Sequence, residues 1–532
     1  MLLSESAQAR EPNGKGRPFP HPMVFIIALG FFVRLFAFFY TPVVSPDGTL
    51  YIHQARALFY AQWDQLTSCA LSYISLYPFL IAGVYGIFHD WVAAAKSVSL
   101  FFGTLTLLPS YLLLRRFFDQ RISAASTLVV SLIPVLVARS GDVVRGPTAW
   151  FFAALGLYLF VLHVHRSKPA FLFLSSLSYL LAASNRIEFL LFPIVSFLYI
   201  LCLQQTQRLR TALYFAAPAV FIVLLALSIA NLLDLSTGSP FRLHEMLGKF
   251  TEPIVGYKAL RANLADLIDQ PVKGALELFL EKARHLVWLI ALETLLVFII
   301  RAFFYPFFFI FLIGLPWLKK EIKGNKPLQF VLILSASALA LLYLHILQTW
   351  VIGNRFMVLF MIPAFVFLGF GVKRTLGLLK TRLRLNPRVA LVIFCLFVLG
   401  TGLPKNLKPK EMDKGVFKNI GEFIARQEGN TQVIHVASSL NILRWVSFYA
   451  NINYRGAPCP QPYQDFDTLV GRDYDTFLRN LKNSDIQYFV WEENHWPSGT
   501  FDFRREMRLE DFKALGTWSH PDTGRMVLYR VY

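Results

Sequence analysis

The chain has 532 residues, 55% of them hydrophobic and 16% charged, with 52 Lys and Arg against 33 Asp and Glu for a net charge of +19. That composition excludes an ordinary soluble globular protein and points to a membrane protein. In so apolar a chain the positive excess marks cytosolic loops facing anionic lipid, not a nucleic-acid surface. Four cysteines are too few for a disulfide framework; Cys202 and Cys395 fall in apolar runs, so only Cys69 and Cys459 could meet an oxidising compartment and bridge.

From the start of the chain, residues 1–22 are polar and carry Arg10, Lys15 and Arg17, and no small-residue cleavage site follows the apolar run 23–40. The spacing predicts a retained first helix behind a cytosolic tail. Later runs long enough to cross about 30 Å of hydrocarbon are 91–114, 121–138, 148–164, 169–184, 187–203, 211–233, 303–318, 327–347, 355–372 and 388–403, which makes about eleven spans. The connectors rich in Lys and Arg, such as 115–121, 319–326 and 373–388, are then all cytosolic. Segment 72–88 would invert every later loop if it crossed, and its Pro78, Gly83 and Gly86 suit a helix lying in the interface. Its flat placement leaves 41–90, 139–147, 234–302 and 404–532 outside.

The tail 404–532 is too polar to span and long enough for its own domain. Val416, Phe417, Ile420, Phe423 and Ile424 lie on one face of a helix, and 431–437, 486–492 and 525–531 read as short strands. The expected fold class is a polytopic α-helical membrane protein with a small extracytoplasmic α/β domain at its C-terminus. There are no repeated halves or broken-helix pairs of the kind inverted-repeat transporters show.

The chemistry-bearing residues gather in the outer loops. Pro46 and Gly48 bracket Asp47 in a turn just beyond the first helix, with Tyr51, Ala55 and Leu58 on one side of the helix that follows. An Asp at such a place commonly caps the helix, so capping is the structural alternative. Asp142 and Arg145 share the second loop and could form a surface pair. Arg186 and Glu188 sit at the ends of two apolar segments, Arg34 lies inside the first span, and Arg355 opens the tenth. Charges there are costly unless paired, hydrated or functional. Arginines retained on the outer side, Arg56, Arg139, Arg145, Arg186 and Arg355, suit phosphate, whose oxygens match the guanidinium fork.

In this order, Pro-Asp47-Gly-x-x-Tyr51 with Ala55 and Leu58, the non-spanning Tyr77-Pro78-Phe-Leu segment and Asp142 in a short second loop resemble the GT-C membrane glycosyltransferases. Arg186-Ile-Glu188-Phe-Leu-Leu-Phe-Pro193 and Asn354-Arg355-Phe-Met-Val-Leu-Phe-Met-Ile-Pro363 are similar to segments of the branch that holds protein O-mannosyltransferases and the lipid A aminoarabinose transferase. The likeness covers 23–403. Relatives often carry an acid directly before the proline of the second loop, where this chain has Gly146, which puts Asp142 in doubt as the second acid.

The resemblance implies a sugar donor on a polyprenyl phosphate or diphosphate and a glycan, lipid or protein acceptor on the outer face. Asp47 would act as base with Asp142 as second acid, while Arg355, Arg186, Glu188, Tyr51, Arg145 and Arg34 would bind the lipid phosphate and sugar. Some relatives bind a divalent cation, for which Asp47, Asp142 and His53 are the candidate ligands. The segment 234–302, with His244, Glu245, Arg261 and an interfacial helix ending near Glu293–Arg301, would cover the site. A bacterial inner membrane is the expected location, with the endoplasmic reticulum as alternative. A lipid-sugar flippase, with Arg34, Glu188 and His345 as pathway residues, and an inactive scaffold are the rival readings.

Overall fold

The computed structural model describes residues 22–69, 71, 73–203, 207–232, 243–268, 274–350, 352–429, 432–459, 464–497 and 499–532. The N-terminal basic tail and the side chains of His244 and Glu245 lie outside the described residues. In chain order the bundle consists of α1 (Pro22–Phe39), α2 (Pro46–Phe59), α3 (Leu76–Phe88), α4 (Trp91–Leu105), α5 (Leu107–Leu114), α6 (Gln120–Ser131), α7 (Pro134–Ser140), α8 (Gly146–Arg166) and α9 (Pro169–Asn185). It continues with α10 (Leu191–Leu203), α11 (Arg208–Leu232), α12 (Leu243–Ile268), α13 (Ala275–Phe303), α14 (Tyr305–Ile322), α15 (Lys326–Thr349), α16 (Val358–Arg382) and α17 (Pro387–Asn406).

The protein is a multi-pass membrane protein. Among the described residues seven helices are long and apolar enough to cross a bilayer, or eight if α6 and α7, bent by 60° at their break, form one span. The expectation of about eleven is not confirmed: among the described residues α9 and the helix from Ile187 to Leu203 are shorter than a full crossing. The expected span 303–318 is α14, which begins after Phe304, a residue held at φ 71°. Of segment 72–88, Leu76–Phe88 form the short helix α3, shorter than a full crossing.

Buried polar side chains close the gap in the α6–α7 span. Pro134 has no N–H, so the carbonyls before it lose helical partners. The fully buried Arg34 guanidinium donates to the Ser131 carbonyl at 3.1 Å, and the Asn406 amide donates to the Leu132 carbonyl at 2.8 Å. Arg34 also donates to Gly30 of its own helix at 3.0 Å. It is a bundle residue, away from the outer site where the sequence reading put it.

Helix α13 has the length and hydropathy of a span, but its contacts lay it along one rim of the bundle. Near its middle the Trp288 carbonyl accepts from Tyr343 toward the end of α15, and at its end Arg301 and Phe304 share a cavity with Asp142 and Asn354. Both points lie on the face that carries the loops after α1, α7 and α15. The expected interfacial helix is thus the end of a much longer one. Helix α12 rests on the same rim, where Glu252 accepts from Gln348.

The C-terminal part holds α18 (Gly415–Glu428), β1 (Val436–Ala437), α19 (Leu440–Ala450), α20 (Phe466–Leu469), α21 (Tyr474–Asn483), β2 (Tyr488–Glu492), α22 (Phe503–Glu506), β3 (Phe512–His520) and β4 (Gly524–Val531). The sheet order is β1-β2-β4-β3, with β1 parallel to β2 and the other pairs antiparallel. Strand side chains alternate between two cores. Phe489, Trp491, Val527 and Tyr529 pack with α20 to α22, whereas Tyr488, Val490, Met526 and Leu528 join Phe417, Ile420 and Trp445 of α18 and α19.

That second core also contains Val43, Val44, Tyr51, Ile52, Tyr77 and Trp91. The C-terminal domain therefore shares one hydrophobic core with the first loop. Trp445 Nε1 donates to the Val44 carbonyl at 2.7 Å, and the buried Arg56 donates to the carbonyls of Asn451 and Gly456 at 3.1 and 2.5 Å and to that of Tyr454. A Cys69–Cys459 disulfide, with Cα atoms 5.7 Å apart, closes the same seam.

Candidate active site at the junction of the first two loops

Helix α2 begins at Pro46, inside the turn expected around Asp47. Ser45, extended at φ −60° and ψ 152°, is the N-cap and accepts from the Gly48 N–H at 3.1 Å, while Pro46 fills the first helical position. Capping is thus done by Ser45. Asp47 lies in the first turn, where the helix dipole favours an anion, and its carboxylate points elsewhere. Arg355 Nη1 lies 3.0 Å from Asp47 Oδ2, and Arg444 Nη1 of α19 lies 3.7 Å from Oδ1. Both partners of the Asp47–Arg355 pair keep 36% of their side-chain exposure, so the pair is reachable.

Gly48 is what lets α2 come so close to the second loop. A Cβ there would stand 2.7 Å from the Val143 carbonyl oxygen and 2.9 Å from the Val143 Cβ. The Ser45 hydroxyl donates to that carbonyl at 2.8 Å. Asp142 completes the clamp: its Oδ1 accepts from the N–H groups of Ser45 at 3.0 Å and Val143 at 2.7 Å, and Oδ2 pairs with Arg139 at 3.2 Å. Burial pushes the Asp142 carboxyl up from its ordinary value, against the pull of Arg139 and the two N–H donors.

A cavity of about 240 Å³ opens beside Asp47. It brings together Asp47, Tyr51, Arg145, Arg186, Glu188 and Arg355 of the sequence-predicted residues. Arg186 bonds Glu188 through Nε at 2.6 Å and stacks on Phe356 at 4.7 Å. Arg145 lies over the rings of Tyr73 at 4.8 Å and Tyr51 at 5.5 Å. Burial pushes the Tyr51 phenol up to about 12, so it stays an O–H donor. Two buried donors on the cavity wall, Arg145 Nη1 and Trp150 Nε1, have no hydrogen-bond partner among the described residues. Such donors are costly without an acceptor, and they face a space lined by four arginines, Arg139, Arg145, Arg186 and Arg355, against two carboxylates.

Asp142, Arg34 and His53 are not on that wall. Both ring nitrogens of His53 contact carbonyls, of Pro458 at 3.2 Å and Gln65 at 2.8 Å, and burial pushes its pKa down. The candidate metal set Asp47, Asp142 and His53 therefore does not converge. Among the described residues the one cluster of three such ligands is His53 with Cys69 and Cys459, whose sulfurs are bonded to each other. The cavity itself does not fit a divalent cation, since Asp47 and Glu188 each already hold an arginine and the surplus charge is positive. It fits an anion.

Sequence reasoning missed Arg444, Tyr73 and Trp150, named Phe356 only as part of the segment after Arg355, met His345 only as a pathway residue, and counted Arg139 among the phosphate-binding arginines. Arg444 is joined to Asp47 by the fold alone. Trp150, one helical turn beyond Gly146, could have been suspected from the missing acid: a Cβ at 146 would lie 3.0 Å from the Trp150 ring, so the indole occupies the space beside the position where relatives place a carboxylate.

No family model matches the chain, and no curated protein sequence matches it. Solved structures do. ArnT from Cupriavidus metallidurans is similar in its apo state at 15% identity and TM-score 0.58, and bound to undecaprenyl phosphate at 13% and 0.53, each time over 95% of this chain and 97% of the other. The chain has a GT-C fold. The GT-C oligosaccharyltransferase of Archaeoglobus fulgidus, tethered with an acceptor peptide containing the NVT sequon, is similar over 96% of this chain and 74% of the other, at 12% identity and TM-score 0.57. That enzyme is also known in complex with Zn and sulfate. At such identities the GT-C likeness is one of architecture, and the reading of the site rests on its own geometry.

Proposed function

We propose that this chain is a membrane glycosyltransferase that takes a sugar from a polyprenyl phosphate or diphosphate and passes it to a glycan, lipid or protein acceptor on the extracytoplasmic face, in a bacterial inner membrane. The observation that carries the reading is the cavity that unites the Asp47 carboxylate with Arg355, Arg186 and Arg145 and two orphan donors at one rim of an apolar bundle. Beside it a narrow apolar recess, lined by Leu341, Leu342, Phe356 and Leu359 and sharing Glu188 and His345, leads along α15 and α16. A phosphate in the cavity can keep its hydrocarbon tail in the bilayer by that route. The two neighbours known with undecaprenyl phosphate or with an acceptor peptide support this choice of substrates.

In the proposed reaction an acceptor O–H or N–H attacks the anomeric carbon as Asp47 takes its proton, and the bond from that carbon to the phosphate oxygen breaks with its electron pair leaving on the phosphate. Arg355 and Arg186 meet the charge that grows there, and Glu188 holds Arg186 in place. Arg355 shifts partner in this scheme, from Asp47 to the incoming phosphate, which frees the carboxylate for the proton. The deciding experiment is transfer of radiolabelled sugar from a decaprenyl-phosphate-linked donor by the purified full chain in liposomes, compared with Asp47→Asn. Transfer that survives the substitution takes the base role away from Asp47, and lipid-sugar translocation without transfer moves the assignment to a flippase.

A further inference from the structure

Three of the four arginines on the wall of the Asp47 cavity already hold a carboxylate: Arg355 that of Asp47, Arg186 that of Glu188 and Arg139 that of Asp142. Arg145 has no ion pair among the described residues, and its Nη1 has no hydrogen-bond partner there. The carboxylates that attract it, Glu188 and Asp47, are the two taken by Arg186 and Arg355. Its guanidinium carbon lies 4.8 Å from the Tyr73 ring and 5.5 Å from that of Tyr51. The rings answer its charge at the face and leave the N–H groups at its edge in need of an acceptor. Trp150, only 1% exposed, brings a second unpartnered N–H from the start of α8, where the helix dipole also favours an anion.

The phosphate of the proposed donor does not meet that need. The apolar recess that would take the lipid tail shares Glu188, His345 and Phe356 with the cavity, and none of Tyr51, Tyr73, Arg145 or Trp150 lines it. The lipid phosphate then belongs with Arg186 and Arg355, and the sugar it carries extends toward Arg145 and Trp150. The charge balance agrees. With Arg444 and Asp142, which pair with residues of the wall, five arginines face three carboxylates, and this surplus of two positive charges exceeds the single negative charge of a phosphate diester. Buried donors without acceptors and a charge without a partner are costly, and an anionic group on the sugar removes both costs.

We infer that Arg145 and Trp150 form a carboxylate subsite and that the transferred sugar is acidic, a uronic-acid ring whose carboxylate oxygens accept from the guanidinium and the indole N–H. The inference rests on the transferase reading for the direction in which the donor lies. A neutral sugar offers these donors a hydroxyl oxygen but leaves the charge of Arg145 unanswered, and an amino sugar adds a cation to the surplus. A second phosphate bonded to the first stays on the lipid side, beside Arg186 and Arg355, and does not reach across a sugar ring.

The test uses the full-length chain in liposomes and measures competition against radiolabelled decaprenyl phosphate. The probes are decaprenyl-phosphate-linked glucuronic acid and galacturonic acid, their neutral counterparts glucose and galactose on the same carrier, and glucose on decaprenyl diphosphate. At least one uronosyl donor is expected to bind about tenfold or more tightly than its neutral counterpart, the worth of one charged hydrogen bond. Arg145→Gln should abolish that difference, Arg145→Lys should restore part of it, and Trp150→Phe, which keeps an aromatic ring in the core, should reduce it several-fold. Equal binding of acid and neutral donors by the wild-type chain overturns the subsite whether or not any variant folds. So does a preference that persists in Arg145→Gln, or tighter binding of the diphosphate donor than of both uronosyl donors, which would give Arg145 to a second phosphate. Preferential binding of a uronosyl donor that is never transferred overturns the transferase reading and leaves the carboxylate subsite standing.

Discussion

Two aspartates in adjacent loops illustrate how burial divides labour between identical groups. Asp47 keeps a third of its side chain exposed, faces a cavity and meets two arginine side chains that a ligand could draw away. Asp142 is buried, and its oxygens hold the backbone N–H groups of Ser45 and Val143 together. The first is free to act on a substrate; the second would have to break the junction to do so. On the proposed reading Asp47 carries the chemistry and Asp142 the architecture, although both stood as catalytic candidates on sequence.

The largest effect that comparison calls for is at Asp47. Asp47→Asn keeps size and leaves the Ser45 cap untouched, so the protein should stay folded in the membrane while turnover falls on the order of 100- to 10,000-fold. Transfer assays alongside thermal unfolding in micelles separate the two. A variant that loses stability as much as activity would place Asp47 in the same structural class as Asp142.

Next come the arginines. Arg355→Ala and Arg186→Ala should each cost roughly 2–4 kcal/mol of transition-state stabilisation, about 30- to 1000-fold in donor turnover. Lysine should rescue only part, because it lacks the bidentate fork. Arg186→Ala carries a second consequence, since it leaves Glu188 without its ion-pair partner. Glu188→Gln with Arg186→Ala should restore stability and leave turnover low. Recovery of turnover in that double variant would show that Arg186 acts only to neutralise Glu188.

A smaller effect is expected where the two loops touch. Gly48→Ala must push α2 away from Val143, because backbone oxygen and side chain both stand within 3 Å of the new Cβ. Crowding of this kind costs about 1–3 kcal/mol. Turnover should drop with it, as Asp47 is the neighbouring residue and moves with the helix. A fully active, fully stable Gly48→Ala protein would mean the junction is looser than the contact distances imply.

How much of this was legible in the chain depends on how local the signal is. The turn Pro46-Asp47-Gly48, Tyr51, Arg145, Arg186, Glu188 and Arg355 all carried local cues, and one cavity gathers them. The amphipathic pattern of 416–424 predicted α18, the run at 486–492 contains β2, and the run at 525–531 covers all of β4 but its first residue. Strand β3 was missed because Phe512–His520 alternates poorly and carries a register shift between Ala514 and Gly516. Arg444 was missed for a different reason. Nothing near it in sequence refers to Asp47; it arrives there because Trp445 and Tyr449 on the same helix pack into the core shared with Val44 and Tyr51. Arg34 misled because an intramembrane charge reads as functional, whereas here it donates to the Ser131 carbonyl, stranded before Pro134.

The smallest predicted effect is at Asp142, and it tests the division of labour from the other side. In Asp142→Asn the amide oxygen can still accept from Ser45 and Val143, while the attraction to Arg139 is lost. The change in unfolding free energy at neutral pH should stay within about 1 kcal/mol in either direction, with turnover changed only a few-fold. The pH dependence gives a sharper signature. Because burial raises the folded carboxyl above its ordinary 3.8, the folded chain holds this proton at pH values where the unfolded chain has released it. The contribution of Asp142 to stability is then full in acid and declines as pH rises from about 3.8 through the folded pKa. The asparagine variant has no such proton, so wild type should lose stability relative to it over that window. Unfolding midpoints of both proteins in micelles between pH 4 and 7 measure the difference directly. A variant that keeps wild-type stability at every pH but loses two orders of magnitude in turnover would return Asp142 to the chemistry and dissolve the contrast with Asp47.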